Sequence, residues 1–573
     1  MKISSIKKFF LNDLFLVLLI FIFLTVWYTY PLIFVIGDSV HDEGDSVANL
    51  WLLSRNIDKI LNEKEEFFYS DDVFYPEGFY LSSGEMYIEE MLIGLPIYLL
   101  TSNPILTYNL VLLISYILCG LGMYLLVKFY IKNKYGALIS AIIFTFCSYK
   151  FNHLFQLQLL NIQFLPFTIF FFHKIFQEKK LKYAILSSVF FSLQVLSSGY
   201  YAVFTSLLIL FYLLFLLQEK RDKQTMFCIF VFFLLSLGLV APFYIQYYFH
   251  YKTHPIEGIA SSDVLDYFFP GDVNYFYSLF GIKPQGSGER NVFIGFIALF
   301  LSFLSLFFLN KKLIKFYIIT GLVFFIFSLG PQPLFLNQKI NSLRTINTFI
   351  YSLPPFSSLR IPIRFSIMVM FSISILAGYG TSKLFSFLNN KKISLLVFIV
   401  LLFFIITEYW GIFTYFPLED LEVYDWLSKE KGNFAVLELP NEHTYNALYL
   451  YYSLKHKKKL YFGITTFYPK RKFEIHVTQR EIPKLLSKVR SNSYIIPYKN
   501  FTHKFKDEGV VLDSYVYKLN SNNSILPLEE FKYLIIHEGG YPYKKGVCTN
   551  PAQYILKIIE VLLHYQEHIY MKK

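Results

Sequence analysis

The chain has 573 residues, of which 55% are hydrophobic, 20% aromatic and only 16% charged, with a mean hydropathy of +0.44. A water-soluble domain carries about 25% charge and lacks repeated apolar runs near 20 residues long. These proportions exclude a soluble enzyme, a disordered chain and a disulfide-stapled secreted domain, and leave a polytopic α-helical membrane protein with a sizeable polar segment. The net charge of +12 reads as insertion bias, because Lys and Arg gather on cytoplasmic loops of membrane proteins. It does not indicate a nucleic-acid partner. Cys119, Cys147 and Cys228 lie in apolar runs, and with Cys548 they show neither metal spacing nor a disulfide framework.

In chain order, eleven spans are expected, at 13–36, 105–128, 133–150, 157–174, 182–198, 200–217, 225–246, 291–309, 313–330, 364–387 and 393–412. The first follows Lys7 and Lys8 and is too long for a signal-peptide core. The uncharged stretch 183–217 exceeds one helix, so it breaks at Ser197-Ser198-Gly199. Short basic connections, among them Lys128 to Lys134, Lys174 to Lys182 and Lys391-Lys392, alternate with long mixed or acidic ones at 37–104, 247–290 and 331–363. Putting the basic loops inside places the N-terminus in the cytoplasm and residues 413–573 outside a plasma (inner) membrane. The segment 87–101 carries Glu89, Glu90 and Pro96. Counting it as a crossing would invert the later loops, so it reads as an interfacial or re-entrant helix on the outer side.

Two domains follow: a membrane domain over 1–416 and an extracytoplasmic α/β domain over 417–573. In the latter, 434–440 and 531–537 read as buried strands, 443–454 as a helix and 551–566 as a terminal amphipathic helix. The stretch 500–526 is polar and low in signal.

The loop after the first span opens with Asp38, Asp42, Glu43 and Asp45. Leu50, Leu53, Ile57, Ile60 and Leu61 then recur at helical spacing, with Arg55, Asp58 and Lys59 opposite, as in an amphipathic helix lying in the interface plane. A carboxylate near lipid can act as a base on an acceptor hydroxyl or amine. Paired carboxylates can instead hold a divalent cation. Asp45 and Asp38 are the catalytic candidates, and Asp42 and Glu43 read as solvated. Acids also collect on outer loops by default, so both accounts stay open. Glu89 and Glu90 are candidates to complete a carboxylate pair with Asp45. His153, Gln156, Gln158 and Asn161 gather where the third and fourth spans meet outside, suited to a sugar or pyrophosphate. Arg360 and Arg364 oppose the positive-inside bias, which suits a bidentate phosphate contact or a salt bridge to an outer acid. Glu289-Arg290 offers the same choice.

GDSVANLW (44–51), HLFQLQLLNIQFLP (153–166), SLGPQPLF (328–335), LPPFSSLRIPIRF (353–365), LAGYG (376–380) and WLSKEKGNFAVLELP (426–440) occur in that order. With the acidic first outer loop, they resemble the GT-C type of membrane glycosyltransferase, in a little-characterised bacterial branch, over most of the chain. The resemblance implies a GT-C-like fold of about eleven transmembrane helices with the outer α/β domain. It implies transfer of a sugar from a polyprenyl-phosphate donor to an envelope glycan, lipid or protein acceptor, with Asp45 and Asp38 matching the acidic position after the first helix. No cofactor is implied with certainty; a divalent cation is left open. Two rivals remain: a transporter or flippase for lipid-linked sugars, and a non-catalytic scaffold for envelope assembly. Transporters place charges near the bilayer midplane, where this chain has almost none.

Overall fold

The computed structural model describes residues 3–62, 66–218, 222–253, 259–282, 288–308, 310–388, 390–464, 495–504, 511–519 and 531–539. The helix expected at 551–566 and Cys548 lie outside them. The helices are α1 (Ile3–Tyr28), α2 (Asp45–Leu61), α3 (Ile88–Thr101), α4 (Pro104–Ile131), α5 (Lys134–Thr145), α6 (Ser148–Asn152), α7 (Leu157–Leu160), α8 (Phe164–Glu178), α9 (Leu181–Ser197) and α10 (Gly199–Leu217). They continue with α11 (Lys223–Thr253), α12 (Tyr275–Ser278), α13 (Phe296–Leu304), α14 (Lys312–Ser328), α15 (Asn341–Tyr351), α16 (Ser366–Phe387), α17 (Lys391–Glu408), α18 (Glu422–Lys429) and α19 (His443–His456). The strands are β1 (Ser39–Val40), β2 (Tyr69–Ser70), β3 (Phe79–Tyr80), β4 (Leu334–Phe335), β5 (Gln338–Lys339), β6 (Phe416–Pro417), β7 (Ala435–Leu439), β8 (Lys459–Leu460), β9 (Ile495–Lys504), β10 (Val511–Leu519) and β11 (Phe531–Gly539).

Among the described residues, five helical stretches are long and apolar enough to cross a membrane: Pro104–Ile131, Leu157–Glu178, Gly199–Leu217, Lys223–Gln246 and Pro362–Phe387. Asp13–Tyr28, Leu181–Ser197 and Phe296–Phe308 are shorter apolar helices. The spans expected at 133–150, 313–330 and 393–412 correspond to α5, α14 and α17, of 12, 17 and 18 residues. The first span stops at Tyr28 rather than 36, because Pro31 lacks an N–H and pushes the residue before it out of the helical region. The break before α10 falls at Ser198, whose side chain accepts from the Tyr200 N–H.

The chain forms two compact units. The first comprises Met1–Tyr28, Ser82–Pro96 and Leu110–Gly411, and the second Thr29–Leu81, Ile97–Asn109 and Ile412–Lys573.

In the first unit α16 is the centre, packed by α5, α13 and α14. Helices approach this closely only where side chains are small. A Cβ on Gly136 would stand 2.6 Å from the Gly378 carbonyl oxygen, and one on Gly380 would overlap the Leu301 carbonyl. The LAGYG stretch is therefore a packing seam. Gly380→Ala is expected to cost about 1–3 kcal/mol by overpacking, read as a lowered unfolding temperature in detergent. An unchanged temperature would mean α13 moves aside freely. Lys150 is fully buried in this unit, its ammonium 4.3 Å from the Tyr116 ring centroid, which compensates part of the desolvation.

The second unit carries a five-stranded sheet in the order β8-β7-β11-β10-β9. β7 pairs parallel with β8 and β11, while β10 pairs antiparallel with β9 and β11. The strand expected at 434–440 lies on β7 and that at 531–537 on β11, and the low-signal stretch contributes β10 and part of β9. The loop after α1 belongs to this unit: β1 pairs with β6 through Ser39 and Pro417, and α2 packs on α19. Arg55 and Lys59, expected on a solvated face of α2, are 4% and 9% exposed. Arg55 donates to the carbonyls of Phe67 at 3.0 Å and Tyr69 at 3.4 Å. Covered on both faces, α2 is a buried helix of this unit rather than one with a wet side.

Candidate functional site

In the second unit, Asn109 holds the acidic loop by donating to the carbonyls of Ile36 and Ser39, each at 2.8 Å. Asp42 accepts from the N–H groups of Gly44 and Ser46 at 2.8 Å each, so it caps α2. Its carboxylate is thus committed to the fold. Asp38 is exposed and accepts from the Ser39 hydroxyl at 2.7 Å. Asp45 opens α2 and faces His443, the first residue of α19, at 3.2 Å from Nε2. About a third of the Asp45 side chain stays exposed, against 56% for His443. The Asp45 carboxylate raises the His443 pKa above 6.5, against the opposing effect of burial.

In the first unit the predicted outer-face residues fall into two clusters. Arg364, in the turn leading into α16, donates from Nε to Glu289 at 3.2 Å and from Nη2 to the same carboxylate. Nη2 also reaches the Gln156 side-chain oxygen at 3.3 Å, and the guanidinium lies 4.6 Å from the Tyr200 ring centroid. His153 is fully buried, with Nδ1 2.7 Å from the Tyr149 carbonyl and Nε2 3.0 Å from Glu289. Burial raises the Glu289 pKa, but His153 and Arg364 outweigh it and hold the carboxyl well below its usual range. Sequence alone left Arg364 between a phosphate contact and a salt bridge; its fork is engaged by Glu289. Arg290 makes a separate bidentate pair with Asp266, at 2.7 and 2.8 Å. Arg360 is exposed.

The second cluster is built on Glu89 and Glu90, both fully buried in the first turn of α3. The Asn161 amide donates to both, at 3.0 and 3.2 Å, Gln163 donates to Glu89, and the Ser197 hydroxyl donates to Glu90 at 2.8 Å. Glu85 accepts from the Ser198 hydroxyl and the Gly199 N–H, each at 3.0 Å. Ser197, Ser198 and Gly199 are the helix break read at 197–199, while Asn161 and Gln163 lie between α7 and α8. Gln163 had no distinguishing signal in sequence, and Ser197 was read only as part of the helix break.

Burial, then the neighbouring carboxyl, pushes Glu89 well above 4.5, and burial pushes Glu90 up to about 8. The folded chain thus keeps protons that the unfolded chain releases from pH 4.5 upward. Stability therefore falls as pH rises from there to about 8, by up to ~1.4 kcal/mol per pH unit for each proton retained. Glu90→Gln is expected to flatten that slope and raise the unfolding temperature at alkaline pH. Thermal unfolding from about pH 5 to about pH 8 checks it, and an unaltered slope refutes it.

The acids of the first outer loop do not suit a metal ion. Asp42 is used as a cap, Asp38 turns to Ser39 and Asp45 to His443. Among the described residues no group of three or more His, Cys, Asp or Glu is placed to hold one.

No family model matches the chain, and no curated protein does. Among solved structures, the apo oligosaccharyltransferase of Archaeoglobus fulgidus is similar at 13% identity and a TM-score of 0.45, over 78% of this chain and 64% of its own. The same enzyme in complex with Zn and sulfate gives 14% and 0.41, over 79% and 62%. The arabinofuranosyltransferase AftD from Mycobacteria gives 13% and 0.43, over 75% of this chain and 29% of its own. The chain spans less than two thirds of the length of these relatives. Both are named for the transfer of sugars.

Proposed function

We propose that the chain is a GT-C type membrane glycosyltransferase. It moves a sugar from a polyprenyl-phosphate donor to a cell-envelope glycan, lipid or protein acceptor on the outer face of the plasma membrane. The N-terminus is cytoplasmic and the C-terminal α/β domain extracytoplasmic. The observation that carries this reading is the Asp45 carboxylate: it opens α2 after the first apolar helix, stays partly accessible, and is oriented by His443 at 3.2 Å. An ionised carboxylate held by an imidazole is suited to take a proton from a hydroxyl.

In the proposed reaction Asp45 accepts the proton of the acceptor hydroxyl. The freed oxygen attacks the anomeric carbon as the bond from that carbon to the lipid phosphate breaks. Inversion results, and polyprenyl phosphate leaves with the electron pair. Asp38, exposed beside the same helix exit, orients the acceptor. Arg360 is exposed, and its guanidinium is suited to a lipid phosphate. Gln156, held by Arg364 in the network with Glu289 and His153, is suited to a sugar hydroxyl. Glu89 and Glu90, fully buried, hold the Asn161 and Ser197 side chains in place. No step is routed through a metal ion.

The test uses membranes carrying the chain and polyprenyl phosphates bearing labelled sugars. Label is expected to pass to an acceptor with release of polyprenyl phosphate. Label that stays on the lipid for every sugar and acceptor offered would overturn the reading.

A further inference from the structure

The second unit holds a cavity of about 220 Å³ between the end of α3, α2 and the last turns of α19. It is smaller than the ~300–1,000 Å³ of pockets for drug-sized ligands, so it admits a single small ring rather than an extended chain. Tyr98, Tyr451 and Tyr452 line it with aromatic surface, and Tyr451 meets Tyr452 edge to face at 5.2 Å. Its charged lining balances: Asp58 pairs with Lys457, and Asp420 with Lys455 at 2.9 Å. Lys455 also reaches Asp425 at 2.6 Å. A lining with two carboxylates and two ammonium groups, each already paired, has no surplus charge to attract an anion. It does offer several donors and acceptors close to aromatic rings.

That combination matches one ligand chemistry. A sugar ring has an apolar C–H face that packs on an aromatic ring, and hydroxyls that both donate and accept. The geometry points to a monosaccharide-binding site in this cavity, with Tyr98 and Tyr451 as ring contacts and Asp58 and Asp420 as hydroxyl acceptors. The site rests on the cavity's own lining; its use as the acceptor-sugar subsite rests on the transferase reading above.

The experiment is saturation-transfer NMR on the full chain in detergent, with methyl hexopyranosides and methyl pentofuranosides as probes and no donor present. Saturation of ring protons is expected for at least one glycoside. Binding is expected to weaken at least ~10-fold in Y451A and in Y98A, and to persist in Y451F. Thermal unfolding checks that each variant folds; should Y451A not fold, Y98A carries the comparison. Absence of saturation for every glycoside, or equal binding in both alanine variants, overturns the site. Displacement of the glycoside by glycerol 3-phosphate identifies a lipid-headgroup or phosphate site and overturns it equally. Glycoside binding without any transfer would sink only the transferase reading. Normal transfer without glycoside binding would sink only this site.

Discussion

Asp45→Asn is expected to lower sugar transfer by ~10²- to 10⁴-fold, the range of a lost general base, while leaving the fold intact. The second half of that expectation is specific to this helix start. The Ser46 N–H in the first turn of α2 and the Gly44 N–H before it donate to Asp42. The substitution keeps shape and removes the charge facing His443. Initial rates with a labelled polyprenyl-phosphate sugar, at matched protein levels, measure it; undiminished transfer removes Asp45 from the mechanism. The pH profile carries an independent sign. Asp45 raises the His443 pKa above 6.5, so the ion pair is complete below 6.5 and dissolves as pH rises through the raised value. Asp45 is released to accept a proton as the imidazolium is lost. Transfer is therefore expected to rise with pH across the window just above 6.5, and His443→Gln is expected to abolish that rise.

Arg364→Met is expected to cost about 3 kcal/mol of stability, the lower end of the ~3–5 kcal/mol for breaking a buried ion pair. The Arg364 side chain is 8% exposed and that of Glu289 27%, so the stranded carboxylate keeps some contact with water. His153 stays 3.0 Å away and keeps a polar contact with it. Combining Arg364→Met with Glu289→Gln is expected to cost less than the sum of the two single changes, because the second change removes the charge the first had stranded. Denaturation in mixed micelles, read as a double-mutant cycle, tests this; additive losses would mean the pair has no energetic link. The pair also has a pH signature. Glu289 is held below its usual 4.5, so its contribution is complete above that value and is lost as the medium is acidified below it.

Much of the local structure was legible along the chain. Uncharged runs marked the long helices, Ser197-Ser198-Gly199 marked the turn into α10, and the apolar run ended by Pro at 434–440 marked β7. These follow from backbone propensity and the hydropathy of neighbouring residues, which act over a few positions. The strands β9 (IIPYKNFTHK) and β10 (VLDSYVYKL) were missed because polar residues interrupt them without a regular period of two. The limits of α1 and α5 moved because hydropathy does not sense where a backbone stops being helical.

Residue order alone settled which segments are apolar, where acids and arginines lie, and the strands β7 and β11, since each depends only on nearby side chains. The partners were decided by tertiary structure. His443 reaches Asp45 across 398 positions, Glu289 reaches Arg364 across 75, and Asn161 joins Glu89 to Glu90. A charged side chain is solvated, paired or neutral according to what the folded chain brings within a few ångströms, and chain reversal puts that information beyond any local pattern. Arg55 shows the consequence: its spacing marks a wet helix face, and the Phe67 and Tyr69 carbonyls bury it.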